Sequence, residues 1–166
     1  PKAVALNKNG YEAFEETLEA AQNGFSVEGL ESAVARGALV LDVRSKTAFA
    51  EGHIPGSIFI GLDGSFAVWV GTVIEDMQQP IIVVADAGRE EEAVTRLARV
   101  GYHNSLGYLK DGMEAWKTAG KPVTSLSQVD ADEIAGVMAS ESDVKVLDVR
   151  KPGEYDAEHV DGAETY

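Results

Sequence analysis

The sequence predicts an α/β fold, a parallel β-sheet flanked by helices on both faces, followed by the start of a second copy of the same fold. Short apolar runs alternate with helical patterns along the chain, and Ile81–Val84 contains no polar residue. In addition, Val40–Arg44 returns without a gap as Val146–Arg150. Strands that alternate with helices of this length are usually parallel and joined by right-handed crossovers, with helices on both sides of the sheet.

The first elements follow from caps and apolar runs. Tyr11–Asn23 contains helix formers and precedes the repeated region. Ser26 is the expected cap of a helix that ends near Arg36–Gly37, because its hydroxyl can accept from a free amide of the first turn. Ala38–Val43 is a continuous apolar run rich in β-branched residues, as expected of a central strand buried on both faces.

The remaining elements of the first copy alternate in the same way. The helix predicted at Arg89–Val100 has one apolar face and a Glu92–Arg96 pair at i,i+4 spacing. Trp69 and Trp116 lie on predicted helices and are expected in the core or at a domain interface. The other predicted strands are Ser57–Ile60, Ile81–Val84 and Ser105–Leu109, and the other predicted helices are Phe66–Ile74 and Asp111–Ala119.

The repeat divides the chain into a complete and an incomplete copy. His53 and Gly56 return in register as His159 and Gly162. The second copy is expected to contain a helix over about Ala131–Met138 and a strand at Val144–Val149. The sequence therefore predicts a connector from an upstream domain at 1–25, a complete domain at 26–124 and the truncated start of a second domain at 125–166, all within a longer protein.

Composition limits the possible partners. The 166 residues include 28 acidic and 14 basic side chains, for a net charge of −14, and such a chain repels nucleic-acid phosphates and anionic membrane surfaces. The sequence has no cysteine and only three histidines, without metal-ligand spacing. No apolar window is long enough to span a membrane and no signal sequence is visible, so we expect a cytoplasmic, bacterial-type protein that binds neither nucleic acid nor membranes.

The loop between the third apolar strand and the helix after it is the main candidate for a ligand site. Ligands of open parallel sheets bind at the carboxyl ends of the strands, where helix N-termini favour anions. This loop consists of Ala85, Asp86, Ala87, Gly88, Arg89 and Glu90.

The segments LVLDVRSKTAFAEGHIPGSI and DGMEAWKTAGKPV resemble those of a rhodanese-like domain, and the resemblance covers about residues 26–124. In that family the loop begins with a cysteine that carries a persulfide cradled by backbone amides. Here Ala85 stands at that position, or Asp86 if the loop is shifted by one, and Glu90 stands where an arginine is common. Because sulfur transfer needs a thiolate, the loop is expected to be vestigial, with no catalytic residue and no metal ligand.

A narrower resemblance concerns the GSFAVWVG, EEEAVTRLARVGY and ALNKNG segments. They are similar to the tandem rhodanese region that follows a metallo-β-lactamase-fold domain in persulfide dioxygenase fusion proteins. The resemblance implies that the partners are the upstream and downstream domains of the parent chain. It also implies that this segment holds no cofactor and that iron resides only in the upstream domain.

Six repeated polar residues have a simpler interpretation. Charged pairs at strand ends and histidines in glycine-containing turns commonly bond to neighbouring backbone, so we expect these residues to be structural. They are Asp42, Arg44 and His53 with their counterparts Asp148, Arg150 and His159.

Three functions remain open at this point. The leading hypothesis is a non-catalytic scaffold between a metallo-β-lactamase-fold domain and a catalytic rhodanese domain in sulfur metabolism. The second is a tandem sulfurtransferase whose active cysteine lies in the missing part of the second repeat. The third is an aspartate-dependent phosphatase using Asp86. Because an isolated strand exposes apolar faces, the truncated repeat is also expected to pack on the first domain or to form a homo-oligomer.

Overall fold

The computed structural model describes residues 19, 23–140 and 143–165, which fall into two compact units divided between Ser127 and Gln128. The strands of the first unit are β1 (Gly24–Phe25), β2 (Leu39–Asp42), β3 (Ile58–Phe59), β4 (Ile81–Val84) and β5 (Ser105–Leu109). Its helices are α1 (Val27–Ala35), α2 (Lys46–Glu51), α3 (Phe66–Val73), α4 (Glu90–Arg99) and α5 (Gly112–Thr118).

The five strands form one parallel sheet in the order β1-β5-β4-β2-β3, which confirms the predicted fold class. At its centre β2 and β4 pair in register from Leu39 with Ile81 to Asp42 with Val84. All four β4 residues are buried because the strand lies between two others and is covered on both faces. This accounts for the lack of polar residues in its sequence.

Successive side chains of the central strands point to opposite faces of the sheet and pack into two separate cores. Leu41 and Val83 face α3 and α4, whereas Val40 and Ile82 face α1 and α5. The buried helix residues of the first core are Phe66, Val70, Ala93, Val94 and Leu97, and those of the second are Val27, Leu30, Ala33, Met113 and Trp116. The alternation of side chains along a strand thus gives the sheet its two helical layers.

The helix cap and the ion pair expected from the sequence are both formed. The Ser26 hydroxyl accepts from the Gly29 amide at 3.2 Å and caps α1. On α4, Arg96 forms the expected ion pair with Glu92 at 2.9 Å. Such caps and pairs stabilise the helix ends by amounts on the order of 0.3–1 kcal/mol each.

Two features differ from the expectations. The segment Gly24–Phe25, assigned to the connector, forms edge strand β1 beside β5, where a Cβ on Gly107 would lie 2.1 Å from the Asn23 carbonyl oxygen. Of the helix expected at 11–23, only Glu19, which is helical, and Asn23, which is not, lie among the described residues. Trp116 is 5% exposed and lies in the core, whereas Trp69 is 56% exposed. Of the two places expected for Trp69, the core or a domain interface, the core is therefore excluded.

The second unit contains α6 (Ala131–Ser140), β6 (Leu147–Asp148), α7 (Pro152–Ala157) and β7 (Glu164–Thr165). The strand expected at 144–149 is paired only at β6, which lies parallel to β7. Leu147 is 54% exposed, whereas its counterpart Leu41 is fully buried between neighbouring strands and helices. Every helix among the described residues is too short or too polar to cross a bilayer.

Truncating the centre of the sheet should unfold the first unit most readily. We expect Ile82→Ala to lower the free energy of unfolding by about 2–5 kcal/mol, because it leaves a cavity between β4 and the helices on one face. Val68→Ala, at an exposed position of α3, is the matched control and should change the free energy of unfolding by less than about 0.5 kcal/mol. Urea unfolding followed by circular dichroism measures both, and equal effects would contradict the assigned burial.

Candidate functional site

The candidate site lies where β2 and β4 end at the same edge of the sheet. The Val43 amide donates to the Val84 carbonyl at 2.9 Å, which aligns the residues that follow the two strands. Arg44 and Ala85 therefore line one cavity of about 540 Å³. A cavity of this size at the carboxyl edge of a parallel sheet is a common position for a ligand site.

The loop after β4 turns sharply into α4. Ala85 is 5% exposed at the base of the cavity, whereas Asp86 and Ala87 are exposed. The Arg89 amide donates to the Asp86 carbonyl at 3.0 Å, and Gly88 occupies the left-handed region with φ +84°, which favours glycine. The loop keeps the geometry of a strand-to-helix cradle, but a methyl group occupies its base and supplies no nucleophile.

Most charges around the cavity are negative. Its basic side chains are Arg44 and Lys110, and its acidic side chains are Asp86, Glu90, Asp111 and Glu114. Anions such as thiosulfate are repelled by this lining, although the free amides at the start of α4 would otherwise favour them. Within the described residues no group of three His, Asp or Glu side chains is placed to hold a metal ion.

Arg89 bonds to acids outside the cavity. Its Nε donates to Glu92 at 2.8 Å and its two terminal nitrogens donate to Asp63 at 3.1 and 3.2 Å. These hydrogen bonds lower the pKa of both carboxyl groups and raise the pKa of Arg89. The cation of the loop is thus held by two carboxylates and does not line the cavity.

Asp42 and Arg44 form a buried ion pair at the end of β2. The Arg44 Nη2 donates to the Asp42 carboxylate at 2.6 Å and to the Gly52 carbonyl at 2.8 Å. Asp42 is fully buried and Arg44 is 8% exposed. The pair ties the strand end to the turn after α2, and it supplies the partners that buried charges require.

His53 bonds to backbone in the same region. Its Nδ1 donates to the Phe49 carbonyl at 2.9 Å, and its ring stacks on the Phe49 ring with centroids 3.9 Å apart. Its own amide and carbonyl pair with Thr124 at 2.9 and 3.0 Å. The imidazole therefore fixes the turn and does not line the candidate cavity.

The second unit repeats these bonds. Arg150 Nη2 donates to Asp148 at 2.6 Å and to the Glu158 carbonyl at 2.7 Å, while His159 Nδ1 donates to the Tyr155 carbonyl at 2.8 Å. The hydrogen bonds from Arg150 lower the pKa of Asp148 to about 2. Here Arg150 is 48% exposed, so the same bonds form in water-accessible surroundings.

The loop predicted from the sequence forms one side of the cavity, and the residues on the other side were not predicted. The structure brings Arg44, Ala85, Asp86, Ala87 and Glu90 together around it, whereas Gly88 and Arg89 lie outside the lining. The missed wall runs from Tyr108 to Glu114, at the end of β5 and the start of α5. The available signal was the parallel sheet itself, because β5 adjoins β4 and its carboxyl end must open at the same edge.

The five-stranded parallel sheet, with a strand-to-helix loop and its φ-positive glycine at the carboxyl edge, defines an open α/β domain. Comparison with family models then assigns it, since the rhodanese-like domain model matches residues 26–119. The chain belongs to the rhodanese-like domain family.

Known relatives agree with this assignment. The uncharacterized protein BU052 of Buchnera aphidicola is 32% identical over 87 residues, which is 52% of this chain and 60% of that protein. The chain thus spans about 60% of the length of the curated relatives that it matches.

Solved structures show the same fold at lower identity. The Rhodanese_3-like domain of the Alr3790 protein from Anabaena sp. has a TM-score of 0.51 and 23% identity, covering 57% of this chain and 98% of that one. A thiosulfate sulfurtransferase from Pseudomonas aeruginosa has a TM-score of 0.53 and 23% identity, covering 93% of this chain and 36% of that one.

The repeated ion pair offers a matched test of burial. We expect Asp42→Asn to lower the free energy of unfolding by about 3–5 kcal/mol, because it leaves the Arg44 charge buried without a countercharge. Asp148→Asn removes the same bonds in the second unit, where water reaches Arg150, and should cost less. Urea titration measures the free energy of unfolding of both variants. Equal decreases would show that burial does not determine how much the ion pair stabilises the protein.

Proposed function

We propose that this chain is a non-catalytic rhodanese-like module of a metallo-β-lactamase/rhodanese fusion protein in cytoplasmic persulfide and sulfur metabolism. The observation that carries this proposal is Ala85, whose methyl group lies at the base of the loop after β4. None of the 166 residues is a cysteine, so no other position supplies a thiolate. Sulfur transfer through a protein persulfide therefore has no carrier in this chain.

The surroundings of Ala85 support the same proposal. Asp86 and Glu90 line the cavity, and their carboxylates oppose the binding of an anionic sulfur donor. The sheet and its two cores are nevertheless complete in this unit. We infer that the module positions the neighbouring domains of its parent, and that the iron chemistry belongs to an upstream metallo-β-lactamase-fold domain.

A tandem sulfurtransferase is the second candidate. The duplication favours it, because Asp148 and Arg150 repeat the bonds of Asp42 and Arg44, and β6 repeats the parallel pairing of β2 with β3. The two candidates predict different neighbours in the gene. A metallo-β-lactamase-fold domain encoded before this segment supports the first, whereas a second rhodanese repeat with its cysteine and no such domain supports the second.

The activity assay tests whether this module transfers sulfur. We expect the wild-type chain to form no thiocyanate from thiosulfate and cyanide, and intact mass spectrometry to detect no added sulfur. We expect Ala85→Cys to take up sulfur slowly, because its thiolate can attack the sulfane sulfur and release sulfite. The double variant Ala85→Cys/Glu90→Arg should be faster, since it replaces a repelling charge with an attracting one.

Ala87→Cys is the matched control, because it places a thiol on the exposed part of the same loop. It should retain less sulfur than Ala85→Cys. Turnover by the wild-type chain would refute the non-catalytic proposal. If the added arginine had no effect, the electrostatic part of the argument would be wrong.

We further propose that the second unit self-associates in the isolated chain. Among the described residues β6 pairs on one side only, whereas β2 pairs with both β3 and β4. Leu147 and Val149 are exposed next to the open edge of β6. Open edges with apolar neighbours readily pair with strands of another chain.

Self-association should depend on this edge. We expect light scattering to show a mass that rises with protein concentration, and Val149→Lys to shift the chain to monomer. Val68→Lys, at an exposed valine of the first unit, is the control and should leave association unchanged. A clean monomer at all concentrations, or dissociation by Val68→Lys alone, would contradict the proposed surface.

A further inference from the structure

A second cavity opens at the same edge of the sheet, beyond the ends of β2 and β3. It measures about 480 Å³, within the range of small-molecule sites. Its walls come from the start of α2, the end of β3 and the exposed side of α3. The loop from Ala85 to Glu90 does not line this second cavity, which shares only Arg44 with the candidate cavity described above.

Two aromatic side chains contribute to its lining. Phe59 and Trp69 both line the cavity, together with Ile60. Trp69 is more than half exposed, and its helix also exposes Val68 and Val73. A tryptophan buries a large apolar area when it is covered, so a half-exposed one beside a cavity is well placed to stack on a planar ligand.

The charges around this cavity leave one cation available. Arg44 is neutralised by Asp42, and Asp63 is neutralised by Arg89. Lys46 lines the cavity and forms no ion pair within the part of the chain that the structure describes. In a chain with a net charge of −14, this cavity therefore retains a local positive group.

We infer that this cavity binds a small planar aromatic molecule with a single negative charge, such as an aromatic carboxylate. The ring stacks on Trp69, and the anionic group lies near Lys46. A protein partner is less well matched, because a stable interface buries about 800 Å² on each side. α3 exposes three large apolar side chains, Val68, Trp69 and Val73, and of these Trp69 lines the pocket. The inference does not depend on the sulfur chemistry of the neighbouring loop.

Tryptophan fluorescence gives a direct readout, because the chain has two tryptophans and Trp116 is buried in the core. The probe is 4-nitrobenzoate, an aromatic carboxylate that quenches indole emission. We expect saturable quenching in the wild-type chain. In Trp69→Phe the remaining emission comes from Trp116 and should be insensitive to the probe.

Calorimetric titration with the same probe measures how much Trp69 and Lys46 each contribute to its affinity. Trp69→Ala should weaken binding about tenfold, as expected for loss of a stacked aromatic pair. Lys46→Gln should weaken it up to about fivefold, whereas Lys117→Gln, at an exposed lysine of α5 outside the cavity lining, should not change it. The neutral analogue 4-nitrobenzamide should bind the wild-type chain about as weakly as 4-nitrobenzoate binds Lys46→Gln.

Three results would overturn the inference. They are the absence of saturable binding, equal affinity of the wild-type chain and Trp69→Ala, and equal affinity for the charged and neutral probes. Circular dichroism of each variant shows whether the fold is retained. Because the three substituted side chains, Trp69, Lys46 and Lys117, are exposed, we expect unchanged spectra.

Discussion

The parallel pairing of β2 with β4 is the constraint on which both cavities depend. Four consecutive residue pairs hold the strands in register, so the chain leaves the sheet at Val43 and Ala85 side by side. From that edge the two continuations diverge, one into α2 and β3, the other into α4. The two cavities lie on either side of Arg44, which lines both of them. A shift in the pairing would separate Arg44 from Ala85, because successive strand residues point to opposite faces.

The sequence predicted the centre of this fold more closely than its edges. Ile81–Val84 was placed with the observed bounds, because burial on both faces imposes an apolar run that local pattern reveals. Ser105–Leu109 was also placed with the observed bounds. Edge strand β1 was missed, since Gly24–Phe25 becomes a strand only through its pairing with β5. A core position, one of the two places expected for Trp69, was wrong for a related reason. Local pattern shows that it lies on a helix, but only the tertiary packing decides which side of that helix is covered.

The repeated segment, Val40–Arg44 and Val146–Arg150, distinguishes the structure that local sequence determines from the structure that needs the whole domain. Both copies form the same aspartate–arginine bonds and the same histidine-to-backbone bond, within 0.1 Å for each Asp–Arg contact. Those bonds join residues at most eight positions apart, so a short segment carries all their partners. Burial is different, because Leu41 is covered by β4 and by the α3 and α4 layer, whereas Leu147, which pairs with β7 in the second unit, remains 54% exposed. The second unit therefore repeats the local hydrogen bonds of the first unit but does not bury the corresponding leucine.

The loop after β4 forms a tight strand-to-helix turn although Ala85 at its start supplies no nucleophile. Its turn depends on Gly88 and on backbone hydrogen bonds, and neither requires a thiol. Glu90 and its neighbours in the first turn of α4 favour the helix through its dipole while they oppose an anion at the same position. Arg89, which could have offset that charge, is held by Asp63 and Glu92. Restoring a thiol at Ala85 would therefore restore a nucleophile to an intact turn but not the positive field that makes such a nucleophile reactive.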